Sequence, residues 1–135
     1  MRNHRDVFHV AIPAHDLDAS QAFYVGGLGC KLARRYADRI TLDFFGDQVV
    51  CHRTERPAIG SAPLSLYPRH FGVTFRDASE FAAVVALAHQ RDLPVFAEVG
   101  RRFPGMVEAH DTFVLVDPAE NLIEFKHYDD PRMMY

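Results

Sequence analysis

The sequence predicts an α+β fold built from two copies of a β-α-β-β-β module within one domain, residues 1–135. Three observations predict this fold. The same order of extended and helical patterns occurs twice along the chain, and a segment rich in Pro, Gly and Ser separates the two copies. His9 and His70, in the first strand of each copy, are 61 positions apart, as are the helix-capping candidates Asp16 and Asp77. An internal duplication accounts for all three.

The first module covers about residues 6–54. Its opening run, Val7–Ile12, is rich in β-branched and aromatic residues and predicts a strand that stops at Pro13. Asp16 or Asp18 is then expected to cap a helix that ends at Gly26-Gly27. Three further extended segments complete the module, at residues 28–36, 39–45 and 48–53, the last two flanking the hairpin signal Gly46-Asp47.

The second module covers about residues 69–128, after a linker at about residues 55–68. It begins with a strand at His70–Phe75 and a helix through about Gln90, whose apolar residues share one face. A strand at Pro94–Val99 and a loop from Gly100 to His110 follow. The module ends in a hairpin between Asp111 and Tyr128, whose turn signal is Asp117-Pro118-Ala119-Glu120-Asn121.

Composition excludes several classes of protein. Hydrophobic residues at 48% and charged residues at 24% are ordinary for a globular domain. A formal net charge of -3 and a pI near 6.2 give no reason to expect nucleic-acid or membrane binding. The N-terminus lacks the apolar run of a signal peptide, and the two cysteines form neither a zinc-finger spacing nor a disulfide framework. We therefore expect a cytoplasmic protein with reduced thiols.

Glu124 is the most informative single residue. It interrupts the apolar strand Leu122-Ile123-Glu124-Phe125, and an ionised carboxylate on the interior face of a sheet is costly unless a cation or a hydrogen bond compensates it. His9 and His70 occupy equivalent places in the two initial strands. We therefore predict a metal site that includes His9, His70 and Glu124.

The fourth ligand is expected from the last strand of the first module. There, Gln48 and His52 share one face because strand side chains alternate. His52 is the better ligand for a divalent metal, since a neutral imidazole nitrogen binds such ions better than an amide oxygen. The predicted set is His9, His52, His70 and Glu124, with Gln48 as the alternative to His52. Imidazoles with one carboxylate suit Fe, Mn, Ni or Zn as a divalent ion and leave positions open for substrate.

Three stretches carry a family resemblance. Phe8–Ile12, the helix with Ala22-Phe23-Tyr24 followed by Gly27-Leu28-Gly29-Cys30, and Asp117–Phe125 resemble the vicinal oxygen chelate superfamily. That superfamily includes glyoxalase I, extradiol dioxygenases, methylmalonyl-CoA epimerase and the bleomycin-resistance proteins. The resemblance covers nearly the whole chain. Glu120 replaces the Gly common in the Asp-Pro-x-Gly-Asn turn of the family.

The resemblance implies paired βαβββ modules whose curved mixed sheet encloses a metal, with ligands from the first and last strands of each module. It implies a lyase, an isomerase or a ring-cleaving dioxygenase acting on a small substrate with two adjacent oxygens, and a homodimer. In such an enzyme Glu124 is the candidate catalytic group, because a carboxylate there can move a proton next to a carbonyl. Arg101 and Arg102 are candidate substrate-binding residues, since a guanidinium binds a carboxylate or phosphate through two hydrogen bonds. Tyr24, Tyr67 and His110 are further pocket candidates.

The resemblance leaves two functions open. The first is a metal-dependent enzyme of the glyoxalase or dioxygenase kind. The second is a metal-free protein of the bleomycin-resistance kind, which sequesters an aromatic ligand. A His/His/Glu set favours the enzyme, because sequestration does not need it.

Overall fold

A computed structural model describes residues 3–55 and 63–135 of the chain. The chain divides into two compact units, Met1–Ala62 and Pro63–Tyr135. Much of the predicted linker, residues 56–62, lies outside the described residues. Within the described ranges, no helix combines the length and apolar character that crossing a bilayer requires.

The first unit is a four-stranded mixed sheet with one helical segment. Asp16 starts the helix, because its carboxylate accepts hydrogen bonds from the backbone N–H groups of Asp18 and Ala19. The sheet order is β1-β4-β3-β2, with β1 parallel to β4 and the other pairs antiparallel. Its elements are β1 (His9–Ala14), α1 (Leu17–Gln21), a π-helical segment (Ala22–Gly27), β2 (Lys31–Arg35), β3 (Arg39–Phe44) and β4 (Asp47–Arg53).

The second unit repeats this plan. The sheet order is β5-β8-β7-β6, again with one parallel pair, β5 with β8, and two antiparallel pairs. Its elements are β5 (Phe71–Phe75), α2 (Ala78–Gln90), β6 (Val95–Arg102), β7 (His110–Val116), β8 (Leu122–Tyr128) and a short 3₁₀ helix (Pro131–Met134). The predicted α+β fold with two β-α-β-β-β modules is therefore confirmed.

In each unit the helix covers one face of the sheet. In the second unit, the ring of His89 on α2 lies 5.7 Å from the ring of Phe113 on β7, which pairs directly with Phe125 on β8. Because Phe113 contacts α2 through His89 and Phe125 is its direct cross-strand partner, both buried rings belong to the face that packs on α2. Because side chains alternate along a strand, Glu124 and Thr112 lie on the opposite face of the sheet.

Two strands, β1 and β6, extend by more than one residue beyond their predicted C-terminal ends. β1 continues through Pro13 to Ala14. Proline is tolerated there because β1 is an edge strand, which pairs with a neighbouring strand on one side only. β6 continues to Arg102, so the loop expected from Gly100 begins later. The ladder between β6 and β7 shifts register twice between Val95 and Gly100, which hides the strand's alternation in the sequence.

Both predicted hairpins are present, and their turns have clear physical causes. The first turns at Phe45 and Gly46, one residue before the expected signal, with φ angles of 53° and 93°. In the second, the Asp117 carboxylate accepts hydrogen bonds from the backbone N–H groups of Ala119 and Asn121 and from the Asn121 side chain, at 2.7–2.8 Å. Asp117 thereby fixes the entry into β8, the strand that carries Glu124.

Candidate functional site

Glu124 lies in the middle of β8 with only 7% of its side chain exposed. Its Oε1 atom accepts a hydrogen bond of 2.7 Å from the Thr112 hydroxyl on the neighbouring strand β7. The backbone around it is equally close-packed. Gly72 on β5 is its partner in the parallel ladder, and a Cβ atom at Gly72 would overlap the Glu124 carbonyl oxygen.

The other carboxylate oxygen of Glu124 faces two nitrogen atoms. His70 Nε2 lies 3.1 Å from Oε2, and Lys126 Nζ lies 3.3 Å from the same atom. Both side chains are partly buried, at 24% and 28% exposed. The structure thus brings His70 and Glu124, two of the predicted site residues, into direct contact.

These neighbours keep Glu124 ionised. Burial alone would raise the pKa of the Glu124 carboxyl, because a desolvated charge is unfavourable. The hydrogen bond from Thr112 and the positive charge of Lys126 outweigh burial and hold the pKa below its ordinary value. The site therefore presents a carboxylate at neutral pH.

The His70 ring is held by its other nitrogen. Nδ1 lies 2.8 Å from the carbonyl oxygen of Leu66, and the Tyr67 ring packs edge-on at 5.9 Å between centroids. Since a carbonyl only accepts, Nδ1 carries a hydrogen, and a neutral ring then directs the Nε2 lone pair at the Glu124 carboxylate. Two acceptors 3.1 Å apart need a proton or a metal ion between them.

A divalent cation fits this pair. Ligand distances are about 2.0–2.2 Å for imidazole nitrogen and carboxylate oxygen, so two ligands at right angles lie about 3 Å apart. The observed separation of His70 Nε2 and Glu124 Oε2, 3.1 Å, has this value. The bond from Nδ1 to a backbone carbonyl is also the usual support of a metal-binding histidine. Among the described residues, no three His, Cys, Asp or Glu side chains form a group that could hold a metal ion.

His9 and His52 both belong to the first unit, on the sheet face opposite α1. His9 pairs with Gln48 across the parallel β1–β4 ladder, whereas His52 pairs with Pro13, four residues further along. Four residues of a strand span about 13 Å. Gln48 is therefore the polar neighbour of His9 in this sheet. The role of His9 and His52 as ligands stays a prediction.

The register also identifies the counterpart of Glu124 in the first unit. Gly72, two residues after His70, pairs with Glu124; Ala11, two residues after His9, pairs with Val50. Val50 therefore occupies the position equivalent to Glu124, and its side chain is apolar. Gln48 and His52 lie two residues to either side of Val50, on the same face of the sheet.

Arg101 and Arg102 lie on opposite faces of β6. Arg101 pairs with Asp111, and its guanidinium binds the carboxylates of Asp111 and Asp129, which raise the pKa of Arg101 further. Arg102 pairs with His110, on the face that carries Thr112 and Glu124, and its guanidinium carbon lies 5.8 Å from the Phe103 ring centroid. Substrate binding by either residue stays a prediction, and the register favours Arg102.

Two further pocket candidates have clear surroundings. Tyr24 is completely buried and contacts Phe23 and Phe44, so it is a core residue of the first unit. His110 is 7% exposed, and its ring packs against Tyr128 in a tilted arrangement with the centroids 4.4 Å apart, on the face of Glu124.

Sequence reasoning missed the roles of Thr112, Gly72 and the Leu66 carbonyl. Counting outward from the Asp117 turn pairs Val114 with Glu124 and Thr112 with Lys126, so Thr112 shares the face of Glu124 and lies diagonally across from it. The Leu66 contact has no comparable signal, because it depends on the path of a chain segment without regular structure.

Comparisons with known proteins match this fold. A family model described as the Glyoxalase/Bleomycin resistance protein/Dioxygenase superfamily matches residues 6–125. The crystal structure of a glyoxalase/bleomycin resistance protein/dioxygenase from Alicyclobacillus acidocaldarius has 59% sequence identity, covers 100% of both chains and has a TM-score of 0.93. No functionally curated protein matches the chain.

More distant structures share the fold alone. A lactoylglutathione lyase from Agrobacterium tumefaciens has 19% identity and a TM-score of 0.67, with 90% of this chain and 92% of that chain covered. The fosfomycin resistance protein FosX from Listeria monocytogenes has 12% identity and a TM-score of 0.65, with 96% and 98% covered.

Proposed function

Because the chain belongs to the glyoxalase/bleomycin resistance protein/dioxygenase superfamily, we propose that it is a divalent-metal-dependent enzyme acting on a small oxygen-chelating substrate. The reaction is a lyase or isomerase reaction, or the cleavage of a ring by dioxygen. The match to a superfamily named for glyoxalases, bleomycin-resistance proteins and dioxygenases supports this class of chemistry.

One observation carries the proposal. His70 Nε2 and Glu124 Oε2 lie 3.1 Å apart, with the other nitrogen of the imidazole and the other oxygen of the carboxylate already engaged by Leu66 and Thr112. Those two outer bonds orient His70 Nε2 and Glu124 Oε2 toward one point, although Lys126 Nζ also lies 3.3 Å from Oε2. An arrangement of this kind is what a metal centre requires of its supporting residues.

We propose His9 as the third ligand, by its equivalence to His70. The set His9, His70 and Glu124 is two imidazoles and one carboxylate, which suits Fe, Mn, Ni or Zn and leaves positions open. The fourth residue is Gln48 or His52. The pairing of His9 with Gln48 favours Gln48.

Each residue then has a defined task. When bound, the cation would act as a Lewis acid and template for two adjacent substrate oxygens. Glu124 moves a proton at the carbon next to a substrate carbonyl, and Thr112 keeps its second oxygen fixed. The Leu66 carbonyl holds the His70 ring in place. Arg102 binds an anionic group of the substrate.

One observation favours the alternative, a metal-free ligand-sequestering protein. Lys126 Nζ already neutralises Glu124 at 3.3 Å, so the carboxylate has a counter-ion without a metal. In that case the face of Glu124 would bind an aromatic or antibiotic molecule through packing and hydrogen bonds.

Metal analysis separates the two functions. We expect the purified protein to bind about one equivalent of Fe, Mn, Ni or Zn, and a His70→Ala, Glu124→Ala double variant to lose it. The chain offers a matched control, since His89 and Glu98 form a second pair with Nε2 and Oε2 also 3.1 Å apart, but exposed at 48% and 67%. A His89→Ala, Glu98→Ala variant keeps the metal. A wild-type protein that binds no metal but still binds a ligand refutes the enzyme.

A further inference from the structure

Lys126 is an unusual neighbour for a metal ligand. Its ammonium lies 3.3 Å from the same oxygen, Glu124 Oε2, that faces His70 Nε2. The other oxygen, Oε1, already accepts the Thr112 hydroxyl. A divalent cation between His70 and Glu124 would therefore have to take the oxygen that Lys126 holds.

We propose that Lys126 is a resident counter-ion of Glu124 that a divalent cation displaces, and that the displaced ammonium then positions an anionic group of the substrate. This inference rests on the proposed metal site. An ammonium and a divalent ion cannot share one carboxylate oxygen without strong repulsion, because like charges a few ångströms apart repel even at an intermediate dielectric. Binding of the metal and release of Lys126 are thus one event.

On the described strands β5, β7 and β8, the released ammonium has no second acidic partner on its own sheet face. Glu124 is the only acidic residue on this face of β5, β7 and β8; the other members are His110, Thr112, Val114, Val116, Gly72, Thr74, Leu122, Lys126 and Tyr128. A partly buried cation without a counter-charge is unfavourable. A substrate that carries a carboxylate supplies that charge, so the site selects anionic chelating substrates over neutral ones.

The first test is a calorimetric titration of metal-free protein with Mn²⁺. Lys126→Met, which keeps the length of the side chain without its charge, is expected to bind Mn²⁺ about tenfold more tightly than wild type, while Lys126→Arg, which keeps the charge, gains nothing comparable. Equal affinity of wild type and Lys126→Met for Mn²⁺ overturns the displacement. If neither protein binds Mn²⁺, the proposed metal site itself is wrong, which is a distinguishable result.

The second test follows the ammonium directly. Lys31 and Lys126 are the only lysines of the chain, and Lys31 is exposed on β2. Acylation of the two amines, read by peptide mass spectrometry, is expected to become several-fold faster at Lys126 when Mn²⁺ is added and to stay constant at Lys31. An Mn²⁺-binding protein whose Lys126 acylation is unchanged or slowed overturns the release step.

The third test addresses substrate class. Catechol and 3,4-dihydroxybenzoate are chelators that differ by one carboxylate, and both are titrated into Zn²⁺-loaded protein. Wild type and the control Lys31→Met are expected to prefer the carboxylated compound, and Lys126→Met to lose most of that preference, with Arg102 supplying the remainder. The same preference in Lys126→Met as in wild type overturns the role of Lys126 in anion recognition.

Discussion

Gly72 and Glu124 are direct partners in the parallel ladder between β5 and β8, and a Cβ atom at Gly72 would overlap the Glu124 carbonyl oxygen. The strand that follows His70 therefore approaches the strand of Glu124 more closely than a side chain would allow. The His70–Glu124 contact depends on this approach. A glycine is required at this position for its lack of a side chain.

Gly72→Ala is expected to destabilise the protein by about 2 kcal/mol or more, because β5 or β8 must shift. It should also weaken metal binding, since the shift separates His70 from Glu124. Denaturant unfolding and a Mn²⁺ titration measure the two effects. Gly26→Ala is the control, since a Cβ atom there meets nothing within 4 Å. Equal losses in the two variants would show that Gly72 has no special role.

The Thr112 hydroxyl is expected to set the ionisation of Glu124. Thr112→Val keeps the shape of the side chain but removes the 2.7 Å hydrogen bond to Oε1, so the pKa of Glu124 should rise. Loss of a hydrogen bond to a charged group should also cost about 1.5–3 kcal/mol of stability. Carboxyl NMR titration measures the pKa. Thr112→Ser, which keeps the hydroxyl, should behave like wild type; a pKa that falls in Thr112→Val would contradict this role.

Glu124 should also make stability depend on pH. Its pKa in the folded chain lies below its ordinary value of 4.5, so the folded state binds its proton more weakly than the unfolded chain. This contribution is fully present above about pH 4.5 and is lost as the pH falls through the folded pKa. The stability difference between wild type and Glu124→Gln, from urea unfolding of the metal-free proteins, should therefore shrink below pH 4.5. A stability difference that grows on acidification would show that the pKa of Glu124 is raised, not lowered, in the folded protein.

The turn before β8 has one backbone position, that of Glu120, at which glycine would be more stable than the residue present. Glu120 has φ of 66°, in the left-handed region that costs a residue with a side chain about 1 kcal/mol. Glu120→Gly is expected to raise the free energy of unfolding by about 0.5–1 kcal/mol without affecting the site. Thermal unfolding measures the gain. Glu120→Ala should give none, because alanine retains the Cβ atom, and an equal gain in both variants would point to the charge instead.

The two arginines of β6 should respond differently to mutation. Arg101→Ala leaves Asp111 and Asp129 without their shared cation, so it should lower the melting temperature and leave ligand binding unchanged. Arg102→Ala should weaken binding of an anionic ligand and leave the melting temperature unchanged. Differential scanning fluorimetry with and without 3,4-dihydroxybenzoate distinguishes them. The reverse pattern would place the substrate on the Arg101 face.

The sequence predicts the modules well because their signals are local or repeated. Alternating apolar residues around the Asp117 turn identify the last hairpin, and the 61-residue spacing of His9 and His70 identifies the duplication. The contact of His70 with Glu124 follows from the parallel β5–β8 ladder, in which Glu124 pairs with Gly72, two residues after His70.

The remaining features depend on register, which local patterns do not encode. The bulges of β6 hide which of Arg101 and Arg102 shares the face of Glu124. His9 pairs with Gln48 rather than with His52 because the parallel β1–β4 ladder begins at these two residues. The amino-acid sequence gives no local signal for that register. The sequence places Lys126 on the same strand face as Glu124. Only the atomic distances show that Lys126 Nζ contacts the Glu124 oxygen that a metal ion would need.

Anomalous X-ray scattering from crystals soaked in Mn²⁺ tests the central claim most directly. We predict one strong peak within about 2.0–2.3 Å of both His70 Nε2 and Glu124 Oε2, with the Lys126 ammonium moved away from that oxygen. A peak only at the exposed His89–Glu98 pair, or none at His70 and Glu124, would contradict the account.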